Sequence, residues 1–223
     1  MPKLIFDIET IGLEFDSLDK KSQEMLLQYA EDEDERQRIR EGLGLSPLTG
    51  SIAAIGVLNP DTSKGAVYYQ NQASEQEETE GDMNLVPCDG EVGVIKRFWE
   101  VAEHYDQFIT FNGHAFDVPF MTVRSAILKI KPSKNLVSNR YYDHPHLDLM
   151  DRLTNFGATR WRKNLHMWCT AFGIKSPKDG GDGNDVARLF KEKKCRDVAR
   201  YCFGDLVATK ELLEYWEKYM AGK

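Results

Sequence analysis

The sequence predicts an α/β protein built on one mixed sheet flanked by helices. Three observations carry that prediction. Short apolar segments of strand length open the chain and recur near its middle. Two of them, joined by a Pro-Asp turn, read as an antiparallel hairpin, and later strands alternate with helices as in parallel units. The chain has 223 residues, 41% of them hydrophobic and 29% charged. That is the composition of an ordinary soluble globular protein, and one domain covering 1–223 is expected.

The elements follow in order. Residues 3–9 read as a first strand. Residues 14–50 are a charged helical insert, in which 16–41 has only a thin apolar stripe and reads as one long helix. Residues 51–59 and 65–71 form the hairpin, and the acidic stretch 74–82 reads as a loop. A helix over 91–105, a strand over 107–112 and a helix over 118–130 follow, with Pro119 tolerated in the helix's first turn. A strand at 146–150 completes five. Helices are expected near 164–172, to about 193, and from roughly 194 to 219, with a Gly/Asp loop at 179–185 between them.

Net charge is −7. A bulk electrostatic grip on nucleic acid is thereby excluded, so a polyanion would have to be held by local cations or metal ions. The cysteines, Cys88, Cys169, Cys195 and Cys202, have no zinc-like spacing, and four free thiols suit a reducing cytoplasm. No membrane span or secretory leader is expected.

One feature breaks the pattern of a buried strand. In "LIFDIET" the period of two puts Asp7 and Glu9 on one face and Leu4, Phe6 and Ile8 on the other. Burying a bare carboxylate costs several kcal/mol, roughly, unless it is paired or holds a metal. Two further segments supply acids in suitable places. "TFNGHAFDVPF" sets Asp117 between a buried strand and a helix. On the last helix, Tyr201 and Asp205 are four apart on an inward face shared with Val198 and Leu212. Four converging carboxylates repel one another, and oxygen-only ligand sets suit Mg²⁺ or Mn²⁺. Two ions about 3.5–4 Å apart would clamp the oxygens of an in-line phosphoryl displacement.

"FDIET", "FNGHAFD" and "YCFGD", in this order, resemble the three motifs of the DEDD 3′–5′ exonucleases in the ribonuclease H-like superfamily. The Tyr-x-x-x-Asp form is that of the tyrosine subgroup. Together the motifs are most similar to the proofreading exonuclease domain of family B DNA polymerases, here as a stand-alone chain. The resemblance runs from residue 3 to about 219 and implies a ribonuclease H-like fold with a mixed five-stranded sheet. It implies that Asp7 bridges two ions, Glu9 and Asp205 hold the ion of the nucleophilic water, and Asp117 serves the second ion. Tyr201 would orient the nucleophile, its ordinary pKa of about 10 being too high for a strong base. Thr10, Asn112 and Phe116 match positions near the 3′-terminal nucleotide and the single-strand groove.

"RWRKN" interleaves Arg160, Arg162 and Lys163 with Trp161, a composition suited to phosphate contact and base stacking. "HPHLD" mimics a metal motif through His144, His146 and Asp148, but solvated histidines with an aspartate framing the site is the plainer reading. His114 reads as a loop residue meeting substrate or solvent. The expected substrate is single-stranded nucleic acid, DNA favoured over RNA, with a replication or repair protein as a partner. The competing readings are a non-catalytic nucleic-acid-binding or polymerase-accessory module and a ribonuclease H-type endonuclease. Retention of all four acids and the tyrosine disfavours the first, and the second has no need of the Tyr-x-x-x-Asp helix.

Overall fold

The computed structural model describes residues 1–71, 75–159, 164–176 and 185–222. Among them lie seven strands: β1 (Lys3–Gly12), β2 (Gly50–Leu58), β3 (Gly65–Gln70), β4 (Glu78–Glu80), β5 (Met83–Cys88), β6 (Gln107–Thr110) and β7 (His146–Asp148). Eight α-helices accompany them: α1 (Lys20–Leu27), α2 (Glu33–Glu41), α3 (Gly90–Ala102), α4 (Asp117–Ile127), α5 (Leu149–Leu153), α6 (Leu165–Phe172), α7 (Asp185–Lys191) and α8 (Cys195–Tyr219). None of the helices is long and apolar enough to cross a membrane.

The strands form one mixed sheet in the order β4-β5-β3-β2-β1-β6-β7. β1 is central, antiparallel to β2 and parallel to β6, and β7 continues the parallel side. Every residue of β2 is buried, as a strand covered on both faces must be. The alternation read from β1 is realised. Leu4, Phe6 and Ile8 pack with Phe98 of α3 and Phe120 of α4. Ile5 points to the other layer, with Val198, Leu206 and Leu212 of α8. The buried positions of α8 recur three and four apart, so one stripe of a 25-residue helix lies along the sheet.

Two expectations are corrected. The sheet has seven strands, not five, because the acidic stretch read as a loop contains β4 and runs into β5. β4 turns back at Gly81, whose φ of +61° suits glycine, and β5 pairs parallel to β3. The insert is two helices, not one. Asp32 at the N-cap accepts from Glu35 N, and Glu35 accepts from Glu31 N just before the cap, so α2 starts afresh. Neither α1 nor α2 has a buried residue.

What positions the site is a mismatch of strand lengths. β6 pairs with β1 only over Lys3–Ile5, so the carboxyl half of β1 runs on with an open edge beside the ends of β6 and β7. Crevices at the carboxyl ends of parallel strands are where open α/β sheets bind ligands. On its other side β1 stays paired to β2, with a bulge between Glu9 and Thr10 that leaves Ala53 as the extra residue. Next to it, Ile52 N donates to Glu91 Oε1 at 2.8 Å, and Glu91 takes a forked bond from Arg124. One nearly buried ion pair thus ties α3 and α4 to the bulge.

Candidate metal centre

Asp7 and Glu9 stand on the α8 face of β1, Asp7 half-buried and Glu9 9% exposed. α8 comes close because β2 has Gly56 in register with Asp7. A Cβ there would lie 2.6 Å from Leu206 and 2.8 Å from the Cys202 sulfur. Asp117 enters from the open edge. It is 3% exposed, and its Oδ1 accepts the Ile8 N–H at 3.1 Å, a ladder donor for which β6 is too short. Asp205 comes from α8, with Tyr201 one turn before it and half-buried against the core.

The four carboxylates act on one another. Burial raises the pKa of Asp7 well above its usual value, and Asp117, Asp205 and Glu9 raise it further. Glu9 is raised well above its own range by burial, then by Asp205 and Asp117. Asp117 is pushed up to about 7 by burial, with Asp148 and Asp205 adding to it, although its own N–H and that of Ile8 pull it down. The charges acting most strongly on Asp7 are all carboxylates, so its ionisation is opposed by its neighbours. Oxygen atoms of Asp7 and Glu9 and the sulfur of Cys202 lie within 4.8 Å of one another, a spacing one ion can span. A buried, self-repelling set of oxygen donors fits a hard divalent cation.

A second group, His114, Asp148 and Asp151, has metal-ligating residue types within the same 4.8 Å but different surroundings. Asp148 accepts from the backbone N–H groups of Asn112, His114 and Met150 at 2.9 Å and of Asp151 at 3.4 Å. Asp151 accepts both arms of Arg140 and lies 2.9 Å from His114 Nδ1. Its carboxylate lone pairs already face the Arg140 guanidinium and the His114 ring. Asp148 instead braces the turn before α4: Asn112 sits at φ +69° with its N–H aimed at this carboxylate, a backbone nest closed around an anion. Gly113 is needed in that turn, since a Cβ would come 2.2 Å from Thr110 Oγ1.

The reading of "HPHLD" as solvated histidines is half corrected. His144 is exposed, but His146 is fully buried, with Nε2 2.8 Å from Thr110 Oγ1. Burial, then the neighbouring His114, drives the His146 pKa down to about 3, so the ring is neutral. His114, expected to meet solvent or substrate, has an 11% exposed side chain turned to Asp151.

Of the substrate-binding residues read from the sequence, Thr10 donates its hydroxyl to Gly44 O at 2.8 Å, stitching β1 to the insert. Asn112 is half-buried in the nested turn, and Phe116 packs 5.5 Å from Phe120 at the core's edge. Arg160, Trp161 and Arg162, with Lys163, lie outside the described residues, as does most of the Gly/Asp loop. One contributor was not foreseen. Cys202 could have been found from its place three residues before Asp205 on one helical face. Asp148, read from the sequence as framing the site, caps α5 and accepts from the Asn112 and His114 N–H groups.

A family described as predicted 3′–5′ exonucleases related to the exonuclease domain of PolB matches residues 71–216, more than half of the chain. The chain belongs to this family. The match takes in Asp117, Tyr201 and Asp205 and begins after β1. No curated protein matches the sequence. Among solved structures, the family B DNA polymerase from the hyperthermophilic archaeon Pyrobaculum calidifontis is similar, with a TM-score of 0.62 at 17% identity. The likeness covers 97% of this chain and 24% of the polymerase, so the chain spans about a quarter of that protein's length. At this identity it speaks for the fold, the ribonuclease H-like fold of the polymerase exonuclease domain.

Proposed function

We propose that this PolB-like exonuclease chain is a metal-dependent 3′–5′ exonuclease acting as one domain on single-stranded nucleic acid, DNA in preference to RNA, in cytoplasmic replication or repair. The observation that carries the reading is the set of four mutually repelling carboxylates, Asp7, Glu9, Asp117 and Asp205, at the open carboxyl edge of β1. Two Mg²⁺ or Mn²⁺ ions held by these residues would supply an activated water and charge neutralisation at the leaving 3′-oxygen.

The protein's own groups do the rest. Asp117 is pinned by the Ile8 N–H and enters from the edge opposite β2, which leaves α8 to approach Asp7 and Glu9 over the sheet face. Tyr201, one turn from Asp205, is placed to hydrogen-bond and orient the attacking water, a role suited to a neutral phenol. The nested turn over Asp148 fixes the entry of α4, and with it Asp117.

The test is digestion of 5′-labelled single-stranded DNA and RNA with Mg²⁺ or Mn²⁺, beside a 3′-blocked strand and a chelator control. A ladder shortening from the 3′ end, absent with chelator and with the block, is expected. Cleavage of a circular single strand would move the reading to an endonuclease, and binding without turnover to an accessory module.

A further inference from the structure

The carboxylates of β1 share their face with a thiol. Cys202 is fully buried, and its sulfur lies 3.8 Å from both the carbonyl oxygen and Oδ2 of Asp7. Among the described cysteines it alone falls in a group of three potential ligands, with Asp7 and Glu9, all within 4.8 Å. The closeness is built in. Gly56, in register with Asp7, has no side chain to hold α8 away, and a Cβ there would strike the Cys202 sulfur at 2.8 Å.

Resting on the reading of Asp7 and Glu9 as metal ligands, we propose that Cys202 is a further ligand at this centre, one that captures thiophilic divalent ions such as Zn²⁺ and Cd²⁺. Metal–sulfur and metal–oxygen bonds of about 2.3 and 2.0–2.2 Å hold the two donors of a tetrahedral ion roughly 3.5 Å apart. The observed separation is 3.8 Å, so a shift of a few tenths of an ångström brings sulfur into the coordination sphere. Carboxylates alone suit Mg²⁺ and Mn²⁺; one added thiolate tips the same pocket toward softer ions. On binding, the S–H bond gives way to a sulfur–metal bond and the proton leaves to solvent. A soft ion so held shares Asp7 and Glu9 with the activating ions, and it therefore competes with them.

The test uses the full chain, stripped of metal, with Cd²⁺ alone as probe in thiol-free buffer. A sulfur-to-cadmium charge-transfer absorption should grow in stoichiometrically, and the cadmium NMR resonance should lie downfield of an all-oxygen site. Cys202→Ser should abolish the absorption and weaken Cd²⁺ binding at least ~10-fold, since even outer-sphere changes at metal sites cost about 10- to 100-fold. Cys88→Ser, on the opposite face of the sheet, should keep the absorption. Asp7→Asn should weaken Cd²⁺ binding with every thiol still present, which ties the sulfur to the carboxylate centre. An all-oxygen resonance in the unaltered chain overturns the proposal without need of any variant, and so does an absorption that survives Cys202→Ser. Neither readout depends on turnover. Mn²⁺-dependent hydrolysis with an all-oxygen resonance would remove Cys202 from the centre and leave the exonuclease reading intact. Sulfur ligation without hydrolysis in Mg²⁺ or Mn²⁺ would do the reverse.

Discussion

Two acidic clusters lie within a few residues of the same turn, and their electrostatics differ in kind. Around Asp7, the carboxyls of Asp7, Glu9 and Asp117 are each made harder to ionise by their carboxylate neighbours. Around Asp151, burial pushes the carboxyl up, yet the Arg140 and His114 hydrogen bonds outweigh it and leave the group below its ordinary range. Asp148 remains raised by burial, although the His114 and Asn112 N–H groups oppose that. The charges that weigh most on Asp7 and Glu9 are other carboxylates, and the second cluster is wrapped in donors. Residue type alone would make both metal sites. What separates them is the company the carboxylates keep, other carboxylates around Asp7 and N–H donors around Asp148 and Asp151.

The largest expected effects come from breaking the first cluster. Asp7→Asn and Asp205→Asn should abolish hydrolysis in Mg²⁺ or Mn²⁺. Relief of like-charge repulsion should at the same time raise the melting temperature of the metal-free Asp7→Asn protein by a few degrees, at about 2–4 °C per kcal/mol for a chain of this size. Melting below the unaltered chain would show Asp7 to be a structural residue. Tyr201→Phe leaves every acid in place, so metal binding should persist while turnover falls roughly 10- to 1,000-fold, the scale of one positioned hydrogen-bonding group. Single-turnover rates at saturating Mn²⁺ check this, and an unchanged rate would make Tyr201 a packing residue.

Asp148→Asn tests the second cluster and should have the opposite thermal sign. The amide cannot accept all four backbone bonds, and each buried N–H left unpaired costs about 1–3 kcal/mol. A loss of about 2–4 kcal/mol in denaturant unfolding is expected. A variant as stable as the original would mean that the nest is not anchored on this carboxylate.

The smallest effect is a pH dependence. With Asp117 raised to about 7 and Asp7 and Glu9 also raised, the folded, metal-free protein binds more protons than the unfolded chain from about pH 4 to 7. Stability contributed by this cluster therefore falls as pH rises through that window. Melting in chelator should be higher at pH 5.5 than at pH 8, and Asp117→Asn should flatten the difference. Saturating Mn²⁺ should raise the melting temperature more at pH 8, because binding requires deprotonated acids. A Mn²⁺ increment independent of pH would place the ions elsewhere.

The first cluster was legible because a strand's period of two makes acids at i and i+2 stand out against an apolar run, and Tyr-x-x-x-Asp reads as one helical face. Of the second, Asp148 was read as framing the site, but how it does so was illegible, since its partners are backbone N–H groups, which no letter of the sequence records. The strands β1, β2, β3, β6 and β7 announce themselves by local apolar runs. β5 does not, because Asn84 and Pro87 interrupt it and it is held by parallel pairing to β3, with β4 on its outer side. The split between α1 and α2 was hidden because its cap, Asp32 with Glu35, is buried among like letters in "AEDEDERQ".

The insert has a consequence of a different sort. It leaves the sheet at Gly12 and returns at Gly50, two residues paired across one ladder, and just beyond them Leu13 N donates to Thr49 O at 2.9 Å. The ends of the arm are already held together by strands that pair without it, and its return segment is tied down again where Gly44 O accepts from Thr10 and Pro47 O from Arg124. Closing a loop costs little more as it lengthens, each doubling adding only about 0.6 kcal/mol. The arm's helical part, α1 and α2, which has no buried residue, can lengthen, shorten or change sequence while the register of Asp7 opposite Gly56 stays as it is. That helical pair is an exchangeable module, free to diversify beside a centre whose spacing it does not set.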